Sequence, residues 1–142
     1  MKWPWSLSQW LPWLRPPASL GARGEKAAAR YLTRRGCKLL GRGQRSKTGE
    51  LDLVVLDGQV IVFVEVKTRV SAERGHPAEA VGLDKQRRIT RAALAWLKRH
   101  GLMDHPARFD VLAVTWPADA RQPTIEHYPN AFEAQGPRGF YS

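Results

Sequence analysis

The chain has 142 residues, 43% hydrophobic and 25% charged, which suits one folded domain around one core and leaves no room for two catalytic domains. Its single cysteine, Cys37, excludes an internal disulfide and cannot alone make a zinc site, and no run of 18 apolar residues is present to span a membrane. A net charge of +10 favours a polyanionic partner, nucleic acid or an acidic membrane surface, and a cytoplasmic protein is the expectation.

Residues 1–20 hold four of the six tryptophans and four prolines, without an apolar stretch long enough for a signal-peptide core. Leu7, Trp10, Leu11 and Leu14 share helical spacing that would suit contact with lipid or a partner. Pro12 interrupts it, so a disordered leader is expected, ahead of an α/β domain over 21–134 and a tail over 135–142.

From Gly21 to Gly36 a glycine-bounded, alanine- and arginine-rich window predicts a helix with Glu25, Ala28, Ala29 and Leu32 facing inward. Glu25 is the odd member. A carboxylate on an apolar face needs a cation or a role, unless it merely favours the helix dipole from the first turn. Cys37 to Leu40 reads as a short strand and GRGQRSKTG as a loop. Ten basic residues against Glu25 alone lie between Arg15 and Lys47, close to the whole net charge, which predicts a surface that faces a polyanion.

Residues 50–67 are two β-rich runs joined by Asp57-Gly58, a dipeptide that suits a two-residue hairpin loop. Those loop residues would set Asp52 opposite Phe63 and Glu50 opposite Glu65. Glu50, Asp52, Glu65 and Lys67 would then share one face, with Asp52 and Glu65 as diagonal neighbours about 7 to 8 Å apart. Leu51, Leu53, Val55, Val60, Val62, Val64 and Val66 would fill the opposite face. Next comes a helix capped by Asp84 and stopped by Gly101, burying Ile89, Ala92, Ala93, Trp96 and Leu97. Two strands, 108–116 and 124–128, complete an order that predicts a central mixed β-sheet flanked by α-helices. Trp96 and Trp116 are expected in the core rather than as base-stacking platforms, and the four histidines are too scattered for a zinc site.

Carboxylates that converge in this way suit one hard cation. Asp52, Glu65 and the Val66 carbonyl would hold Mg²⁺ or Mn²⁺, Lys67 would orient water or stabilise a phosphate transition state, and Glu25 would complete the shell. A plain cross-strand ion pair between Lys67 and Glu65 is the alternative.

The arrangement of Glu25, Asp52 in GELDLV and Glu65-Val66-Lys67 in VFVEVKTR looks like the PD-(D/E)xK nuclease superfamily. With GARGEKAAARYLTRRG, the Lys85-Gln86 helix start and RFDVLAV, the pattern over residues 21 to 134 resembles the YraN-type family of small bacterial proteins, similar to Holliday junction resolvases. The resemblance implies a restriction-endonuclease-like fold, Asp52 and Glu65 as metal ligands, Lys67 as the catalytic lysine, and a homodimer on two-fold symmetric DNA. Nucleic-acid contacts are expected from Arg34, Arg35, Arg42, Arg45, Lys47, Arg69, Lys85, Gln86 and Arg88. The expected function is metal-dependent cleavage of branched or non-standard DNA. Two alternatives stand beside it: a non-catalytic nucleic-acid-binding module of the same fold, and a membrane-surface adaptor that uses the leader.

Overall fold

A computed structural model describes residues 18–71 and 81–136. Most of the leader and of the tail lies outside them. Ser19 and Leu20, expected in the leader, instead start helix α1 (Leu20–Arg34), where the Ser19 hydroxyl accepts the Ala22 N–H at 3.1 Å. The inward stripe is as predicted: Ala28, Ala29 and Leu32 are buried and Glu25 is half-buried.

Strand β1 (Lys38–Ser46) is longer than expected, because the glycine- and arginine-rich segment read as a loop is an edge strand paired along β2 (Gly49–Asp57). Backbone pairing decides this, not side-chain pattern: one edge faces solvent, and a bulge between Leu39 and Gly41 takes up the irregularity. Strand β3 (Val60–Arg69) pairs antiparallel with β2, but the loop residues are Gly58 and Gln59, not Asp57 and Gly58. Gly58 has φ 61° and Gln59 is not in the positive-φ region, so a glycine leads a type II′-like turn. The loop therefore moves by one position and the pairing by two residues, and its continuation sets Asp52 opposite Glu65.

Helix α2 (Leu83–Arg99) is capped by Gly82 without a side-chain bond, while Asp84 sits inside the first turn and pairs with Arg87 at 3.2 Å. The expected N-cap is corrected: a carboxylate in the first turn favours the dipole without capping. Gly101, at φ 67°, follows the helix end as expected. α2 links β3 to its parallel neighbour β4 (Ala107–Thr115), and β5 (Thr124–Phe132) runs antiparallel at the far edge. The five strands lie in chain order, a mixed sheet with α1 packed on one face and α2 on the other. This is the α/β architecture of a restriction-endonuclease-like fold.

Each face has its own core. On the α1 side Ala28, Ala29 and Leu32 meet Leu53, Val55, Val62, Val64, Leu112 and Val114. On the α2 side Ile89, Ala93, Trp96 and Leu97 meet Val54, Ile61, Phe63, Phe109 and Val111. A Cβ on Gly24 would fall 1.9 Å from Thr68 Oγ1, so the α1 backbone rests directly on the Thr68 side chain of β3. At the other end, the fully buried Asp110 accepts bonds from Arg108, His127 and the Asn130 N–H, where β4 and β5 slip register.

Candidate active site

The regular β2–β3 pairing ends at Leu53↔Val64, and Asp52 is the next residue. Its Oδ2 accepts the Val66 backbone N–H at 2.9 Å, so a side chain serves where a backbone carbonyl would otherwise do so. Leu51 packs in the α2-side core, whereas Leu53 and Val55 pack in the α1-side core. Alternation therefore breaks at Asp52, and the expectation of one regular pleated face is corrected. Glu50 turns out to solvent and pairs with Arg45 at 3.3 Å. Asp52 instead meets Glu25 from α1 and Glu65 from β3.

Glu65 is buried, at 7% exposure. Its ion-pair partner is Lys85, in the first turn of α2, which reaches Glu65 Oε1 and lies beside the Lys67 amine. Five ionisable groups from α1, β2, β3 and α2 thus meet at one point. Burial, then the neighbouring Asp52 charge, push the Glu65 carboxyl up to about 7, against the pull of Lys85. Burial and the Asp52 charge likewise raise Glu25. Burial, then the hydrogen bond and charge of Lys85, lower Lys67. Burial disfavours the charge on Lys85 as well, but the bond and charge of Glu65, with Lys67 and Asp52 beside them, together outweigh that and hold it above the usual lysine value.

Among the described residues no three His, Cys, Asp or Glu side chains form a ready ligand cluster. The neighbouring Asp52 and Glu65 carboxylates offer only oxygen donors, which suit a hard cation that keeps waters or takes phosphate oxygens as further ligands. A carboxyl raised by burial and by a neighbouring charge, as Glu65 is beside Asp52, is a place where added positive charge is favourable. The residues present fit Mg²⁺ or Mn²⁺ on those grounds.

The residues expected to touch nucleic acid do not form one patch. Arg34 and Arg35 line a groove beside α1. Arg42 is exposed on β1 and lies close enough to oppose the rise in Glu25. Arg45 is engaged with Glu50, and Lys47 is exposed in the β1–β2 turn. Arg69, half-buried at the end of β3, accepts the Trp116 N–H at its carbonyl, while Arg88 is exposed on α2. Two of these side chains have partners within the protein. Lys85 is committed to Glu65, and the Gln86 side chain donates to the Val81 carbonyl at 2.8 Å, fixing the entry to α2. Sequence reasoning placed Lys85 among the nucleic-acid contacts but not beside Glu65, because only the tertiary path of α2 brings it there. Trp96 is in the core at 2% exposure, whereas Trp116 is only half-buried and borders the groove.

No described helix is long and apolar enough to cross a membrane. The sequence model of UPF0102, an uncharacterised protein family, matches residues 24–114. A UPF0102 protein of Rhodopirellula baltica is 50% identical over 127 residues, covering 87% of this chain and 76% of its own. One from Geobacter sulfurreducens is 53% identical over 115 residues, covering 80% and 88% respectively. The solved structure of Pyrococcus furiosus SfsA in complex with Ca²⁺ aligns at 15% identity and a TM-score of 0.34, over 76% of this chain and 61% of that one.

Proposed function

The chain belongs to the uncharacterised UPF0102 family, so its chemistry has to be read from its own side chains, and we propose a nucleic-acid-binding protein that hydrolyses phosphodiester bonds with Mg²⁺ or Mn²⁺. The observation that carries this is the position of Asp52, bonded to the Val66 N–H and beside both Glu25 and Glu65. Asp52, Glu65 and the Val66 carbonyl would hold the ion. When bound, such an ion lowers the pKa of a coordinated water and offsets charge on a phosphate. Lys67, held near Glu65 with a lowered proton affinity, orients the attacking water or accepts its proton. Lys85 supplies a second fixed positive charge for the phosphate, and Glu25 holds Asp52 in place from α1. The reading extends to DNA with branches or unpaired segments, to a homodimer, and to the cytoplasm, where the free Cys37 stays reduced.

A second reading rests on the Lys85–Glu65 ion pair, which already neutralises the buried carboxylate with a side chain. On that reading the protein binds nucleic acid without cutting it. Labelled duplex, single-stranded, flap and four-way-junction DNAs, incubated with Mg²⁺, Mn²⁺ or EDTA, separate the two. Cleavage with either metal that disappears in EDTA and in Asp52→Asn supports the nuclease. Binding to every substrate with no product in either metal leaves the binding module.

A further inference from the structure

Beside the exposed face of α1, closed off by the segment between β4 and β5, lies a groove of about 710 Å³. Its charged lining is all cationic: Arg23, Lys26, Arg30, Arg34, Arg35 and Arg121. No carboxylate of the wall offsets them, so they repel one another until an anion enters. Arg23, Lys26, Arg30 and Arg34 recur at three- and four-residue intervals and form a single row down the helix. From Arg23 to Arg35 the row runs roughly 18 Å at the α-helical rise, longer than a single nucleotide.

Two aromatic rings stand at the ends of the row. The Arg23 guanidinium lies 4.1 Å over the Trp116 ring, and that of Arg35 lies 3.7 Å over Tyr31. Trp116 is itself pinned, its indole N–H donating to the Ala120 carbonyl at 3.0 Å. The stacked arginines therefore have their planes preset, which lessens the ordering cost of gripping a phosphate. Trp116 also joins the groove to the candidate active site: its backbone N–H donates at 2.7 Å to Arg69, two residues beyond Lys67.

We propose that this groove seats an unpaired nucleic-acid strand, with the α1 row on its phosphates and its bases stacked on the Arg23–Trp116 and Arg35–Tyr31 pairs. The nucleic-acid part of the proposed function is its premise; the metal chemistry is not. A cationic cleft with aromatic walls suits a single strand, whose bases are free to stack. A duplex presents a convex cylinder with its bases covered, and an anionic membrane presents a plane, so neither fills a concave groove. The strand so held would lead toward the carboxylates and Lys67, which makes a junction between paired and unpaired DNA the favoured substrate.

Fluorescence anisotropy of labelled oligonucleotides in EDTA tests the groove with no contribution from cleavage. A 12-nucleotide oligo-dT is expected to bind more tightly than a 12-base-pair duplex, and at least about fivefold more tightly than the same backbone made abasic. Trp116→Leu and Tyr31→Leu should each weaken oligo-dT about fivefold or more, and the abasic strand by less. Arg30→Glu, a fully exposed change that spares the packing, should weaken both. Equal affinity for oligo-dT, abasic strand and duplex would overturn the proposal, as would Arg30→Glu with unaltered binding. It is overturned too if Arg30→Glu abolishes binding to phosphatidylserine vesicles while leaving oligo-dT untouched. Metal-dependent cleavage of duplex DNA with no single-strand preference would sink the groove and keep the nuclease. Groove binding with no cleavage in any metal would do the reverse.

Discussion

Asp52 and Val66 are joined by a 2.9 Å hydrogen bond from backbone N–H to carboxylate, 14 residues apart in sequence, at the place where β2 leaves its regular ladder. Asparagine retains an acceptor for that bond but not the charge. Asp52→Asn should therefore keep the fold and lose at least about tenfold in Mn²⁺ affinity, since one of two ligand charges is gone. Asp52→Ala removes the acceptor as well and should cost roughly 1 to 3 kcal/mol of stability. Calorimetric Mn²⁺ titration and urea unfolding of the two variants measure the contrast; equal Mn²⁺ affinity in the parent and in Asp52→Asn rules out the ligand role.

The raised Glu65 carboxyl makes stability depend on pH. Its folded value, about 7, lies above the ordinary 4.5, so the folded state binds more protons between those values and stability falls as pH rises through the window. At about 1.4 kcal/mol per unit the full loss is on the order of 3 kcal/mol, complete once pH exceeds the folded value. Glu65→Gln lacks the titration. Urea unfolding in EDTA from pH 4 to 8 should show the parent losing stability relative to the variant as pH rises; parallel profiles would refute the assignment.

Removing the Arg108 side chain should be among the more damaging surface-accessible changes. Its guanidinium bonds the fully buried Asp110 at 3.0 and 3.2 Å and Asp57 at 2.9 Å. Arg108→Ala leaves Asp110 with His127 and one backbone N–H, and breaking such a buried pair costs about 3 to 5 kcal/mol. The denaturation midpoint reports it. A loss under about 1 kcal/mol would mean that His127 alone suffices to hold the charge.

The basic surface predicts steep salt dependence. If Arg34, Arg35, Arg42 and Arg45 touch phosphates, replacing all four with alanine should flatten the slope of log affinity against log salt by about 0.9 per lost duplex contact, or 0.7 on a single strand. Arg45, engaged with Glu50, should contribute least of the four. Titration of labelled DNA between 50 and 300 mM salt, on the order of the physiological range, gives the slopes. An unchanged slope would remove these residues from the interface.

Much of the fold could be read from the residues because Leu53, Val55, Val62 and Val64 alternate cleanly and because Gly36 and Gly101 punctuate the helices at positive φ. The carboxylates and Lys67 were also legible as a group, since any two-residue loop preserves their parity. What escaped depended on choices made by the folded backbone. Gly58 selects its own turn type and moves the register. The Gly41–Ser46 segment has no apolar alternation, yet it pairs because β2 offers a free edge. Lys85 and Trp116 reach their positions only through the β3–α2–β4 crossover, which local pattern does not encode.

Gly24 carries no functional group, yet it sets how deep one reaches. With no room for a Cβ above the Thr68 side chain, the height of α1 over β3 at this point depends on glycine, and Glu25 is the next residue along the helix. A methyl group at position 24 would lift the helix axis and withdraw the Glu25 carboxyl from Asp52. A packing tolerance measured in volume at one residue thereby becomes a tolerance in length at its neighbour, and glycine at position 24 acts as the gauge for the acidic cluster.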